Sequence, residues 1–157
     1  VGRSGIKWNK NKIMFIGEHN HTLDDKNRLS LPAKFRKVFG KSVVITHGLD
    51  NCLFVYTTKE WEVFVTTLGG LSMGQKNSRS FSRFLLGSAV EVDIDSAGRI
   101  LLPDFLRSFA SLKQKVIVVG VGNRAELWSD DAWKKYKSEI EKSADVLAEQ
   151  LGSIGMI

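Results

Sequence analysis

Two stretches of this chain are copies of each other. Asp24-Asp25-Lys26-Asn27-Arg28 runs into Leu29-Ser30-Leu31-Pro32, and 71 residues later Asp95-Ser96-Ala97-Gly98-Arg99 runs into Ile100-Leu101-Leu102-Pro103. Arg36 then matches Arg107 without a gap; after one inserted residue, Val44, Gly48, Asn51 and Trp61 match Val116, Gly120, Asn123 and Trp133 at a spacing of 72. Self-similarity at one period constrains architecture before it says anything of function. It requires two copies of one unit, each presenting an acidic and a basic side chain from a tight turn. A duplicated Arg on a duplicated turn suits a surface that reads something repetitive and anionic.

The chain has 157 residues, enough to bury a substantial core, but each repeat has only about 70, near the lower limit for folding alone. The halves are therefore expected to pack together, with boundaries at 14–89 and 90–157. Residues 1–13 read as a vector-derived leader, with Met14 the natural start: the stretch carries Arg3, Lys7, Lys10 and Lys12, no acid and no apolar run. Without those four charges, 19 basic side chains face 17 acidic ones, and the net charge falls from +6 to +2. The remaining charge is uneven: residues 14–128 hold 15 basic and 11 acidic side chains, residues 129–157 hold 4 and 6. This is a modest asymmetry, not a polybasic tail. A single cysteine, Cys52, excludes an intrachain disulfide and a multi-cysteine metal site, and fits a reducing, cytoplasmic compartment. Its apolar neighbours Leu53, Phe54 and Val55 mark it as a buried structural thiol. No segment has the length and apolarity of a membrane span.

Phe15 to Leu23 reads as a strand and Arg28 to Leu31 as its return, a β-hairpin around a polar turn. Gly98 supplies the positive φ such a turn uses, and Asn27 stands in the same place in the first copy. Pro32 and Pro103 open short helices at their first position, with Phe35, Val38 and Phe39, or Leu106, Phe109 and Ala110, on the apolar side. Val43–Thr46 and Val116–Val119 are β-branched runs typical of buried strands. Thr57 to Glu60 has capping-box spacing ahead of Trp61, Phe64, Val65 and Leu68. A further helix is expected over Ser78–Ala89, with Phe81, Phe84 and Leu85 inward. Ser129 caps a long helix whose apolar residues Trp133, Tyr136, Ile140, Ala144, Leu147 and Leu151 trace a narrow seam. Packing on its own domain is expected to cover most of that seam, and its length also permits contact with another subunit.

The duplicated D-x-x-x-R turn followed by Leu-Ser-Leu-Pro and a short basic helix resembles the MraZ family of bacterial transcriptional regulators. The resemblance extends from Met14 onward and includes Gly48-Leu49-Asp50-Asn51-Cys52-Leu53, Leu85-Leu86-Gly87-Ser88-Ala89 and Glu126-Leu127-Trp128. It implies an α+β fold: two tandem AbrB-like swapped-hairpin units of β-barrel type, related by pseudo-twofold symmetry, with flanking helices and a long C-terminal helix. It further implies a nucleoid-associated ring of many subunits that binds short, spaced direct repeats of double-stranded DNA near the promoter of the division and cell-wall gene cluster. The family's Asp and Arg fall on Asp24, Arg28, Asp95 and Arg99. Asn27 departs from the Gly common at that turn position and makes the first turn stiffer.

Arg28 and Arg99 have a chemical case of their own. A guanidinium is a planar fork that suits phosphate or the guanine edge, and a two-stranded ribbon fits the major groove. Lys26, Lys34, Arg36 and Lys37 flank the first Arg as phosphate contacts, and Arg107 flanks the second. Alternatively each Arg pairs with the Asp four residues before it and closes its own turn; both hold if Asp orients the Arg that meets DNA. A chain of charge +2 does not collect about six phosphate contacts from one face, so several subunits must contribute. An aspartyl hydrolase built on Asp24 and Asp95 is a remote rival: the turns lack Asp-Thr-Gly or Asp-Ser-Gly, and the Arg would keep each Asp ionised. A scaffold ring or protein-interaction module on the same fold is a nearer one. His19, His21 and His47 lack metal-ligand spacing and are expected at exposed polar positions, with no metal or cofactor implied.

Overall fold

A computed structural model describes residues 14–157; the leader expected at 1–13 lies outside the described residues. The first half contains β1 (Phe15–Thr22), β2 (Arg28–Ser30), α1 (Ala33–Phe39), β3 (Ser42–His47), β4 (Leu53–Thr57), α2 (Thr58–Gly69) and α3 (Lys76–Leu86). The second half repeats the order with β5 (Val90–Asp93), β6 (Arg99–Leu101), α4 (Asp104–Phe109), β7 (Lys115–Gly122), β8 (Ala125–Ser129) and one long helix, α5 (Asp130–Ser153). Both prolines stand one residue earlier than expected, as extended cap residues before α1 and α4. Their fixed φ still aims the chain into the helix.

Six strands form one antiparallel sheet in the order β1-β7-β8-β4-β3-β5. Exchanging the halves reverses that order onto itself, so a pseudo-twofold axis passes between β8 and β4. Each half lends its opening strand to the other. β1 runs along β7 for eight residues, Phe15 opposite Gly122 through Thr22 opposite Lys115, and β5 runs along β3. The turn after β1 closes with Leu23 bridged to Leu29, and the arms then part. β2 crosses to pair with β6 in a separate two-stranded ribbon, Leu29 opposite Ile100. At Gly120 the β1 backbone comes so close that a Cβ would lie 2.3 Å from the Ile16 nitrogen, which explains the glycine.

Side chains alternate across the sheet. On one face Phe15, Val43, Ile45, Leu53, Val55, Val116, Val118 and Leu127 join Leu29 and Ile100 of the ribbon and Phe35, Phe39 and Leu106 of α1 and α4. On the other, Phe54, Tyr56, Ile117, Val119 and Trp128 meet Leu68 of α2, Leu85 of α3 and Trp133 of α5. The sheet is thus the middle of three layers. Thr57 Oγ1 caps α2 by accepting from the Glu60 N–H at 3.0 Å, and Ser129 Oγ caps α5 by accepting from the Ala132 N–H at 3.1 Å.

Three expectations need correcting. Phe81 is exposed: α3 starts at Lys76 and turns Leu85 and half-buried Phe84 to the sheet, leaving Phe81 on its rim. His19, His21 and His47 are half-covered rather than exposed: the Phe35 ring of α1 lies edge-on 5.0 Å from His19, and the Phe84 and Phe109 rings lie 4.8 Å and 4.1 Å from His47. The seam of α5 packs at Trp133, Tyr136 and Ile140 only. From residue 141 every position of the helix is exposed, Leu147 and Leu151 included, so it runs off the edge of the sheet instead of along it.

Candidate nucleic-acid interface

The β2–β6 ribbon has an inner and an outer row. Leu29 and Ile100 point into the core and are fully buried, anchoring the ribbon to the sheet. Alternation then sends Arg28, Ser30, Arg99 and Leu101 outward, with Arg28 opposite Leu101 and Ser30 opposite Arg99. Two arginines from the two halves of the chain therefore share one small face.

Each is held by the aspartate of its own turn in the same way. Asp24 Oδ1 accepts from the backbone N–H of Lys26 and of Arg28, both at 2.9 Å, and Asp24 Oδ2 accepts from Arg28 Nε at 2.7 Å. Asp95 Oδ1 accepts from the N–H of Ala97 and of Arg99, both at 2.9 Å, and Asp95 Oδ2 accepts from Arg99 Nε at 2.8 Å. The turn peaks require left-handed backbone, φ 60° at Asn27 and 76° at Gly98, which Asn tolerates and Gly adopts freely. The Arg28 backbone N–H first, then its guanidinium and the Lys26 N–H, hold the Asp24 carboxyl below the ordinary carboxylate value. The Arg99 N–H, its guanidinium and the Ala97 N–H do the same for Asp95. Carboxylates locked in this way stay ionised and are poor proton donors or bases, which removes the aspartyl-hydrolase reading.

Each Nε is bonded to the aspartate of its own turn, which fixes the stem of the guanidinium. The side chains are 29% and 32% exposed. Each Arg thus closes its own turn, as one arm of the alternative expected, and leaves about a third of its side chain exposed. The halves are also tied directly. Leu31 N–H donates to Gly98 O at 3.0 Å, Leu102 N–H to Asn27 O at 3.1 Å, and Asp24 Oδ2 lies 3.9 Å from Arg99 Nη1. No spacing rule announces these cross-half contacts; the duplication led only to the expectation that the halves pack together.

The flanking basic residues divide into two kinds. Lys26, Lys34 and Lys37 are exposed. Arg36 and Arg107 are half-buried at matching places, each donating from Nε to the carbonyl that precedes its helix, Leu31 O at 2.8 Å and Leu102 O at 3.1 Å. Arg107 also bonds Asp104, and Arg36 lies under the Gly98 turn, against the space a Cβ would fill. Burial first, then neighbouring His19 and Arg36, lowers the His21 pKa and favours its neutral form. Among the described residues no group of three His, Cys, Asp or Glu could hold a metal, and no helix is long and apolar enough to cross a membrane. Cys52 is buried, its Sγ donating to Leu49 O at 3.1 Å.

The family model described as "MraZ protein, putative antitoxin-like" matches the chain twice, over residues 14–84 and 85–152. Among relatives, the "Transcriptional regulator MraZ" of Ligilactobacillus salivarius is 47% identical over 138 residues, 88% of this chain and 96% of its own length. Proteins of the same name from Alkaliphilus oremlandii and Natranaerobius thermophilus are each 45% identical, over 91% and 88% of this chain and 100% and 96% of their own lengths. With both repeats matched and relatives at these identities covered nearly end to end, the chain belongs to the MraZ family of transcriptional regulators.

Proposed function

We propose that the chain regulates transcription by binding DNA sequence-specifically through the Arg28–Arg99 face, in the cytoplasm and on the nucleoid. The observation that carries this reading is the pair of guanidiniums fixed by Asp24 and Asp95 on the outer row of a two-stranded ribbon. A stem held rigidly loses little freedom on binding, and a guanidinium's Nη groups can fork onto a guanine edge or a phosphate. Asn27 and Gly98 shape the turns, Lys26, Lys34 and Lys37 supply exposed charge to neighbouring phosphates, and Arg36 and Arg107 brace the turns while lending charge to the same surface.

Two arginines beside two aspartates make a nearly neutral cluster, so one chain holds DNA weakly. Affinity then comes from repetition: a ring of subunits setting several such faces against spaced direct repeats, here those of the division and cell-wall gene cluster promoter. The exposed apolar seam of α5 favours such an assembly.

The test is fluorescence anisotropy of residues 14–157 with duplexes carrying two or more spaced promoter repeats and with scrambled duplexes, across a salt series. The reading expects preference for the repeats, lost in Arg28→Ala with Arg99→Ala while the oligomer persists. Equal, steeply salt-dependent binding to both duplexes would reduce it to nonspecific electrostatics. Absence of binding would favour a scaffold ring.

A further inference from the structure

The two copies of the duplicated unit differ in chemistry beside one edge of the sheet. In the second half a groove of about 550 Å³ runs between the sheet-edge strand β5, the end of β6 and the start of α4, with Val90, Val92, Leu101 and Leu102 among its walls. At the 71-residue spacing, the positions of Val90, Val92, Leu101 and Phe105 are taken in the first half by His19, His21, Ser30 and Lys34. These four positions are polar or basic in the first half and apolar in the second, where charged side chains such as Glu91, Asp93 and Arg107 also line the groove. Leu101 and Phe105 are 56% and 50% exposed, although the first copy of the same unit is built with Ser and Lys there. Large apolar side chains left in water beside a groove mark a surface that something covers.

The backbone beside that groove is also open. β5 pairs with β3 on one side and, among the described residues, with no strand on the other. An unpaired edge is a template for an added strand. Its side chains alternate in burial: Val90 and Val92 are half-buried against the core, Glu91 and Asp93 are exposed, and all four residues border the groove. A strand laid along this edge would place one row of side chains on Val90, Val92 and Leu101 and the other beside two carboxylates. Those carboxylates disfavour a phosphate backbone at this face.

We propose that the outer edge of β5 and its groove dock an extended segment of a partner protein in which aliphatic residues alternate with Lys or Arg, added to the sheet as a further strand. Main-chain hydrogen bonds supply affinity in this mode, and the alternating side chains supply selection. The groove adjoins the proposed DNA face, since Leu101 stands opposite Arg28 and Asn27 and Arg107 are among its walls, but the peptide is tested without DNA and its failure leaves the DNA reading untouched.

The experiment is anisotropy of a labelled Lys-Val-Lys-Val-Lys-Val peptide with the full chain. Controls are a block Lys-Lys-Lys-Val-Val-Val peptide, an acidic Glu-Val-Glu-Val-Glu-Val peptide, and the alternating peptide N-methylated on the backbone at every second residue. The alternating basic peptide should bind, with every control at least about tenfold weaker. Leu101→Ser with Phe105→Lys, which gives the second half the side chains found at the matching positions of the first, should weaken it about tenfold. Glu91→Lys with Asp93→Lys should do at least as much, and circular dichroism should report an intact fold for both variants. The proposal is overturned by no binding up to about 1 mM peptide, by equal binding of the alternating and block peptides, or by indifference to Leu101→Ser with Phe105→Lys. A fall in oligomer mass for that variant, with peptide affinity unchanged, would also overturn it by assigning the face to a second copy of the chain.

Discussion

Asp24 Oδ2 sits 2.7 Å from Arg28 Nε of its own turn and 3.9 Å from Arg99 Nη1 of the other half. Asp95 makes the equivalent contact within its own turn and none within 4 Å to Arg28. The pseudo-symmetric face is therefore electrostatically lopsided: one aspartate touches both guanidiniums and the other touches one.

That asymmetry gives unequal expectations for the two carboxylates. Asp24→Asn should weaken repeat-DNA binding by about tenfold, the scale of losing a charge-assisted bond, and by more than Asp95→Asn does. Anisotropy on the same duplex compares them, with size-exclusion light scattering to show that both variants still assemble. Equal losses would mean that the cross-half contact contributes nothing.

Acid should loosen the turns late. Both aspartates have pKa values held down in the folded chain by backbone N–H groups and by Arg. A group with a depressed folded pKa contributes stability above its unfolded pKa and loses it as pH falls through the folded one. Stability from these turns is thus complete at neutral pH and disappears only below the ordinary carboxylate range. Carboxyl carbon shifts followed by NMR should titrate there for Asp24 and Asp95 and return to ordinary values in 6 M urea.

At the turn peaks, Gly98→Ala and Asn27→Gly should move stability in opposite directions. A Cβ at Gly98 meets a left-handed φ of 76° and the Arg36 side chain, for a loss of about 1–3 kcal/mol. Asn27 carries φ 60°, where Gly relieves strain of about 1 kcal/mol and costs some unfolded-state entropy. Urea midpoints at constant m-value measure both changes.

Native Cys52 should be unreactive. Burial first, and then the nearby Glu126 carboxylate, push its thiol well above the ordinary value, so almost no thiolate exists at neutral pH. Ellman's reagent should label the folded chain only at the rate of unfolding and label it at once in denaturant. Rapid labelling of native protein would show that the thiol is open to solvent.

Removing residues 141–157 should leave the fold intact and reduce assembly. Every residue of α5 from 141 onward is exposed, so the midpoint of thermal unfolding should shift by no more than about 3 °C. Light scattering should show a smaller particle. An unchanged particle mass would place the subunit contacts elsewhere.

The site was legible where its causes are local. Asp24 and Arg28 sit four apart because the turn is four residues long, and Asn27 and Gly98 declare its handedness by residue type. Trp133 and Tyr136 pack as their helical spacing indicates, but the same spacing at Leu147 and Leu151 meets no core, since periodicity defines a face and not what covers it. Pairing between distant segments leaves no comparable mark. Nothing in Phe15–Thr22 names Lys115–Gly122 as its neighbour, and Leu29 and Ile100 read as ordinary strand residues until the ribbon brings them opposite each other. Arg36 and Arg107 carry the same charge as Lys34 and Lys37, yet their reach to Leu31 O and Leu102 O depends on how α1 and α4 leave the turn.

The exchanged first strand also sets a timetable for synthesis. Phe15 leaves the ribosome more than a hundred residues before its partner Gly122. Until β7 is made, β1 has a bare edge and the first half lacks half of its ribbon, so the nascent first repeat cannot close on itself. Such late, long-range pairing slows folding and leaves strand edges open to the wrong neighbour. Two chains emerging side by side could satisfy each other's β1 as readily as their own, so the rate at which the second repeat follows the first decides whether one chain or two tie the knot.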